Sequence, residues 1–230
     1  MDKTLFNSLL LLQINDPFFP LGAYTHSYGL ETYVQKEIVK DRQTALEYIK
    51  SNVLNSLLFN DFLAVRLAYE SKDIESLKFI DEIYYASKAP KEIRLAGEKL
   101  GSRFIKNINS LSLELSGFYR EYCILLEKGE CKGQFPILYG VFCSASGIDK
   151  HSALTAFAYS QVSGLVNNCV KLIPLSQTDG QGILNKSYEF INQALEKLEN
   201  IGIEELGISS PAFELRSMQH ETLYSRLYMS

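Results

Sequence analysis

The residues best suited to chemistry lie close together in one stretch near the N-terminus, Asn15–Glu31. His26 stands directly before Ser27, and an acidic residue, Asp16 or Glu31, lies near each end of the stretch. A hydrolase is disfavoured, because Ser27 lacks the G-x-S-x-G turn and adjacent residues rarely reach nucleophile–base geometry. A single histidine is more typical of a structural hydrogen bond than of a metal site, since nickel needs further nitrogen, oxygen or sulfur ligands.

Prolines, glycines and aromatic residues dominate the same stretch. Pro17 and Pro20 fix φ and interrupt a helix, and Gly22 and Gly29 allow backbone angles closed to other residues. The aromatic residues, too apolar for an ordinary solvated linker, are Phe18, Phe19, Tyr24 and Tyr28. We predict a shaped loop that either packs on the protein's own core or presents these side chains to a partner.

Other common kinds of site find little support in the sequence. No segment matches G-x-x-x-x-G-K-[ST] or H-E-x-x-H, which disfavours nucleotide hydrolysis and a zinc protease site. The cysteines lack C-x-x-C spacing, so free buried thiols are favoured over disulfides or a metal site. They are Cys123, Cys131, Cys143 and Cys169.

Charge and hydropathy limit the partners and the compartment. The formal charge of −4 and the pI near 5.5 disfavour a nucleic-acid partner, which would usually meet a basic face. No stretch approaches the roughly 20 apolar residues that a membrane span needs. We therefore expect a soluble, cytoplasmic protein without nucleic-acid or membrane partners.

Apolar residues recur at helical spacing over nearly the whole chain. This pattern predicts an all-α fold, a single domain over residues 1–230 built as a bundle of roughly ten helices. Lys150–Ile173 is the most regular helix, and its small residues allow close neighbours, so we place it at the centre. Thr4–Ile14 is apolar nearly all round, and we expect it to be buried in its own domain or against another subunit.

Capping residues predict where several of these helices begin and end. The predicted N-caps and first-turn residues are Ser27, Asp41, Asp73, Pro90, Thr178 and Asp179. A helix is predicted over 112–127, and a short apolar helix is predicted to open at Pro136 and close at Gly147.

The C-terminal segment, residues 209–230, is unusually apolar for a chain end. Exposed termini are commonly polar and disordered, whereas this one carries leucines and tyrosines beside Glu221 and Arg226. Two alternatives remain open: the segment docks back on its own domain, or it becomes ordered on a partner.

Four stretches resemble signatures of the urease accessory protein UreF family, and they follow in the right order. The first is D-P-F-F-P-L-G-A-Y-T-H-S-Y-G-L-E from Asp16. The second runs from Pro90 to Arg103, the third is Q-F-P-I-L-Y-G-V-F-C-S-A-S-G-I from Gln134, and the fourth begins I-P-L-S-Q-T-D-G at Ile173. Many members of the family have a histidine at this position, whereas this sequence has Gln134. We therefore assign no metal site there.

The resemblance implies a non-enzymatic, all-helical homodimer without a cofactor of its own. Such a protein binds the accessory protein UreD (UreH), recruits the nickel-carrying GTPase UreG and serves nickel insertion into apo-urease. The residues that we expect to contact partners are Asp16, Tyr24, His26, Ser27, Glu31, Arg94, Asp179, His220, Glu221, Tyr224 and Arg226. Tyr24 and His26 are expected to face the GTPase, and Arg226 is expected to pin the tail. The homodimer is expected to form through the slim central helices and the apolar N-terminus.

Two other functions stay open from the sequence. The chain could store or conduct nickel through His26, the cysteines, Asp16 and Glu31. Alternatively it could stimulate the GTPase with an arginine finger supplied by Arg94, Arg103 or Arg226.

Overall fold

The computed structural model describes residues 2–23 and 26–229, and within them the fold is all-α with no strand. The prediction of a helical bundle of about ten helices is confirmed. The helices are α1 (Lys3–Asn15), α2 (Leu30–Gln35), α3 (Arg42–Asn52), α4 (Leu63–Glu70), α5 (Ile74–Ser87), α6 (Lys91–Ser110), α7 (Gly117–Glu127), α8 (Phe135–Ser146), α9 (Lys150–Leu172), α10 (Gln177–Leu198) and α11 (Pro211–His220). A π-helical segment, Val53–Phe62, joins α3 to α4, and a 3₁₀ turn, Ile203–Glu205, precedes α11.

Several helix ends follow the predicted capping chemistry. Asp41 accepts the amide of Thr44 at 2.8 Å, and the Thr44 hydroxyl accepts the Asp41 amide in return. Asp73 caps α5 through the amide of Ser76, also at 2.8 Å. Gly147 ends α8 in the left-handed conformation, with φ of 69°.

Other predicted ends are wrong by a few residues, each for a backbone reason. Tyr28 and Gly29 both have positive φ, so α2 begins after Gly29 and Ser27 does not cap it. Ser112 also has positive φ, which delays α7 to Gly117. Ser176, rather than Thr178, caps α10; Asp179 is its partner in a capping box. Pro90 is the N-cap of α6 and lies one residue before its first turn.

The central position predicted for α9 agrees with its packing. It contacts α1, α2, α3, α4, α8 and α10. The apolar helix α8 is buried on α4 and α6, and its Gly140 lies so close to α4 that a Cβ would stand 2.4 Å from the Val65 carbonyl oxygen. A cluster of aromatic rings fills the adjoining core: Phe104, Phe135, Tyr139, Phe142 and Phe157.

Two features of the chain were not predicted. No helix was predicted over 211–220, where α11 forms. Pro211 at its first position and Glu214, which accepts the Ser210 amide at 2.9 Å, are the signals that would have indicated it. The π-helical segment has no recognised signal. Over the described part of the chain, no helix is both long and apolar enough to cross a membrane.

Candidate functional site

The C-terminal segment folds back and meets the end of the N-terminal loop stretch. Helix α11 packs on α2 and α6, and Ser217 lies against Gly29 so closely that a Cβ there would stand 2.7 Å from the serine hydroxyl. Beyond His220 the chain turns, which brings Leu227 and Tyr228 to the side chain of Glu31. We call residues 221–229 the tail segment.

Glu31 is the centre of this contact. Its carboxylate is almost fully buried and accepts the backbone amide of Leu227 at 2.7 Å and that of Tyr228 at 3.1 Å. It also lies 2.8 Å from the Nε2 atom of His220. One carboxylate on α2 thus holds the ends of both α11 and the tail segment.

Glu92, at the start of α6, completes the cluster. One of its carboxylate oxygens lies 2.8 Å from Nδ1 of His220, and the other accepts a hydrogen bond from Arg226 at 2.7 Å. We call Glu31, Glu92, His220 and Arg226 the tail cluster. Glu31, His220 and Arg226 were predicted from the sequence as functional residues. Glu92 was not, because it resembles any other charge on the solvated face of α6.

Docked in this way, the tail segment presents an apolar outer side. Tyr224 and Leu227 are almost fully exposed and Met229 is more than half exposed, whereas Tyr228 points inward and is buried. We call Tyr224, Leu227 and Met229 the tail surface. Of the two alternatives left open by the sequence, docking on its own domain is the arrangement in this structure; ordering on a partner stays a prediction.

Helix α1 carries a second exposed apolar surface. Leu10 and Ile14 are buried against the domain, while the opposite side of the helix is open. The exposed residues, which we call the α1 surface, are Leu5, Phe6, Leu9 and Leu12, of which Leu12 is 69% exposed. Burial in its own domain therefore accounts for only one side of this helix.

The proline- and aromatic-rich loop is tied to the basic face of α6. Arg103 donates to the carbonyl of Leu21 at 2.9 Å, and Asn107 donates to that of Pro20 at 3.2 Å. Phe19 packs edge-on against Phe104, whereas Phe18 is 93% exposed. Asp16 shapes the turn by accepting the Phe18 amide at 2.7 Å.

His26 and Ser27 lie inside the protein rather than on its surface. The carbonyl of His26 accepts a hydrogen bond from Asn168 of α9 at 2.9 Å. Burial lowers the pKa of the His26 imidazole, and the nearby Lys99 and Arg103 lower it further. This histidine is therefore poised to be neutral. The prediction for Tyr24 lies outside the described residues.

A cavity of about 590 Å³ extends from the loop along α9 to the start of α10. Asp16, His26 and Tyr28 border it on the loop side, and the ion pair of Lys88 with Asp61 (3.4 Å) borders it from α5 and the π-helical segment. Burial raises the pKa of the Tyr28 phenol, and the charge of Asp61 adds to that effect. The described lining of the cavity contains no cysteine. The described residues of the chain form no group of three or more His, Cys, Asp and Glu suited to a metal ion.

The remaining predicted residues lie apart from the tail cluster or hold local structure. Asp179 accepts hydrogen bonds from the hydroxyl and the amide of Ser176, which lower its pKa, and pairs loosely with Arg42 at 3.8 Å. Arg94 donates to the carbonyls of Lys88 and Ala89, across the break before α6. Glu221 is exposed just beyond the end of α11.

Comparison with known proteins identifies the family. The family model named UreF matches residues 39–188. A "Urease accessory protein UreF" of Actinobacillus pleuropneumoniae serotype 5b (strain L20) is 38% identical over 223 residues, covering 96% of this chain and 97% of the relative. Proteins of the same name from Haemophilus influenzae (strain PittGG) and Bacillus sp. (strain TB-90) are 36% and 32% identical, covering at least 96% of each chain. This chain belongs to the UreF family, whose curated members are urease accessory proteins.

Proposed function

We propose that this chain is a non-enzymatic scaffold of urease maturation. It would bridge the accessory protein UreD (UreH) and the nickel-carrying GTPase UreG to apo-urease, so that nickel reaches the active site. The observation that supports this role is the pair of exposed apolar surfaces, the α1 surface and the tail surface, at the two ends of one chain.

The α1 surface has the form of a helix prepared for a partner's groove. Leu5, Leu9 and Leu12 follow one another at spacings of four and three residues, so they form one continuous row on the helix. Contiguous exposed apolar side chains mark interaction sites in soluble proteins. A bridging protein needs two such surfaces, and the tail surface supplies the second.

We further propose a cytoplasmic homodimer. The outer side of α9 is slim, and a Cβ at Gly164 would meet no other atom within 4 Å, which leaves room for a second copy. The other predicted partner contacts stay proposals alongside the two apolar surfaces: Asp16, Tyr24, His26, Ser27, Glu31, Arg94, Asp179, His220, Glu221 and Arg226.

Light scattering after size exclusion tests the α1 surface. We expect the wild-type chain to form a complex with UreD that then takes up UreG with Mg and GTP. Leu12→Glu places a charge at the most exposed position of the apolar row and is expected to lower assembly with a partner at least tenfold. Ile124→Glu, at a 49% exposed position on α7, is the matched control. Equal assembly by both variants would contradict the assignment of the α1 surface.

A second candidate role, a transient nickel conduit, is favoured by the cavity. Asp16 and His26, which the sequence suggested as ligands, border the same space, whereas Glu31 is occupied by the tail segment. A conduit would bind the ion weakly, because tight binding would hold it. Equilibrium titration of the folded protein with nickel distinguishes the roles: binding tighter than about 1 μM would indicate storage and oppose transient passage.

The arginine-finger alternative finds less support in the contacts. Arg94 and Arg103 hold backbone carbonyls of this chain, and Arg226 pairs with Glu92. Each would have to leave these bonds to reach a nucleotide on the GTPase. Single-turnover GTP hydrolysis by UreG with each arginine replaced in turn remains its test.

A further inference from the structure

Helix α6 carries a row of exposed residues on the side that borders the N-terminal loop. They follow one another at spacings of four, four, four and three residues and form one continuous strip: Lys91, Leu95, Lys99, Arg103 and Lys106. We call these residues the α6 strip. Every charge in it is positive, although the chain as a whole has a formal charge of −4. The strip is therefore a concentrated basic surface on an acidic protein.

The cations of the strip have no counter-ion within the part of the chain that the structure describes. None of them forms an ion pair with a carboxylate of the described residues. Lys150, by contrast, pairs with both Glu70 and Glu199. Like charges three or four positions apart destabilise a helix by about 0.2–0.5 kcal/mol per pair. The strip thus carries a cost that a solvated helix face of mixed charges avoids.

The loop places an aromatic side chain beside these cations. Arg103 holds the loop by donating to the carbonyl of Leu21, and Phe19 packs against the core. Phe18, three residues before Leu21, is 93% exposed, and its amide is fixed by the carboxylate of Asp16 at 2.7 Å. The turn therefore presents the Phe18 ring outward. Exposed aromatic rings of this kind are common anchors in protein–protein interfaces.

We propose that the α6 strip and Phe18 form a docking surface for an acidic face of a protein partner. Carboxylates of the partner supply the missing counter-ions of Lys99, Arg103 and Lys106, and an apolar notch among them receives the Phe18 ring. Charge complementarity of this kind speeds association and discriminates between partners. A nucleic acid is disfavoured as the occupant, because the chain as a whole is acidic and repels it.

This inference rests on the proposed function, since it gives the scaffold a third surface. That surface differs in chemistry from the α1 surface and the tail surface, which are apolar. An apolar surface strengthens binding with little dependence on salt, whereas a basic one acts through charge and is screened by salt. The ionic strength at which assembly is measured therefore separates the contribution of the α6 strip from that of the other two surfaces.

Association kinetics on the immobilised full-length chain test the docking surface. UreD is added first, and UreG with Mg and GTP is then added to the complex, at low and at high ionic strength. The test variant combines Lys99→Glu with Lys106→Glu and leaves Arg103, which holds the loop, in place. The matched control combines Lys72→Glu with Lys128→Glu, at two exposed positions outside α6, and has the same net charge.

We expect the test variant to slow at least one of the two association steps by about tenfold or more at low ionic strength, and the control to associate as the wild type does. The wild-type rate of that step should fall as salt is added, and the test variant should lose this dependence. Lys99→Arg with Lys106→Arg keeps the charge and should restore the wild-type rate. Phe18→Ala should speed dissociation at both ionic strengths.

Three results would overturn the docking surface and leave the scaffold role intact. The first is association of the test variant with both proteins at the wild-type rate. The second is equal slowing in the control, which would reduce the effect to net charge. The third is binding of a short DNA duplex at physiological salt that the test variant abolishes, which would assign the strip to nucleic acid.

Two further outcomes are decided in advance. If the test variant fails to fold, as judged by circular dichroism, Lys99→Gln with Lys106→Gln takes its place and is judged by the same criteria. If the wild-type chain joins neither UreD nor UreG at either ionic strength, the scaffold role itself fails, and the docking surface fails with it.

Discussion

The buried carboxylate of Glu31 is the most direct place to perturb the candidate site. Oε1 accepts the Leu227 amide, and Oε2 lies within hydrogen-bond distance of His220 and of the Tyr228 amide. Glu31→Gln keeps the size of the side chain but replaces one acceptor oxygen with an NH₂ donor. Wherever that NH₂ group lies, it faces at least one donor of the tail segment or of His220.

The expected change in the free energy of opening the tail segment is set by the orientation of the introduced amide that loses fewer contacts. With the NH₂ group in the place of Oε1, only the Leu227 bond is lost; in the place of Oε2, two contacts are lost. A hydrogen bond to a charged group contributes about 1.5–3 kcal/mol. One such loss reduces the free energy of opening the tail segment by about that amount, which is a roughly 10- to 150-fold change in the opening equilibrium. The rest of the fold should be unaffected, because α9 and α10 do not depend on this bond.

Amide exchange at fixed pH measures this change residue by residue. We expect exchange of Leu227 and Tyr228 to accelerate about 10- to 150-fold in Glu31→Gln, while the core amides of α9 stay protected. Glu221→Gln is the matched control, since it makes the same replacement at an exposed position of the same segment. Tail exchange within twofold of wild type in Glu31→Gln would refute the conclusion that this carboxylate holds the tail segment.

Three further predictions concern the interior. Asp81→Ala removes the acceptor of the Tyr122 hydroxyl and of two loop amides. Urea denaturation should therefore show a loss of about 3–5 kcal/mol in the free energy of unfolding, with Glu82→Ala, at an exposed position, as the control. A loss below about 1 kcal/mol would contradict this prediction. Because the pKa of His26 is lowered in the folded protein, the native state binds fewer protons than the unfolded chain below pH 6.5. The free energy of unfolding should therefore rise as the pH rises toward 6.5, and His26→Gln should flatten that slope. An unchanged slope in His26→Gln would contradict this prediction. Burial raises the pKa of Cys131 to about 11 and that of Cys169 to about 12. Ellman's reagent at pH 8 should therefore modify at most one thiol quickly, that of the partly exposed Cys123. Rapid reaction of all four cysteines would contradict this prediction.

Local chemistry made much of the helical frame predictable. The strict spacing of apolar residues in α9 indicated a long central helix, and Asp41 marked the start of α3. Such signals depend only on near neighbours along the chain. Where the backbone takes positive φ at a non-glycine residue, as at Tyr28 and Ser112, the local signal was misleading.

The tail cluster could not be predicted in the same way. Glu31 and His220 are 189 positions apart, and neither residue type indicates which side chain it will contact. The sequence marked the tail segment as apolar enough to dock, but the choice of its own domain depends on where α11 places His220. Glu92 was missed because a carboxylate on a solvated helix face and one beneath a docked tail look alike in sequence.

We propose that this chain joins UreD to UreG. The most direct measurement is light scattering after size exclusion of UreD and UreG with Mg and GTP, in the presence and absence of this chain. We expect UreG to elute with UreD only when the chain is present, in a complex that contains all three. Elution of UreG with UreD to the same extent without the chain, or failure of the chain to join either protein, would contradict it.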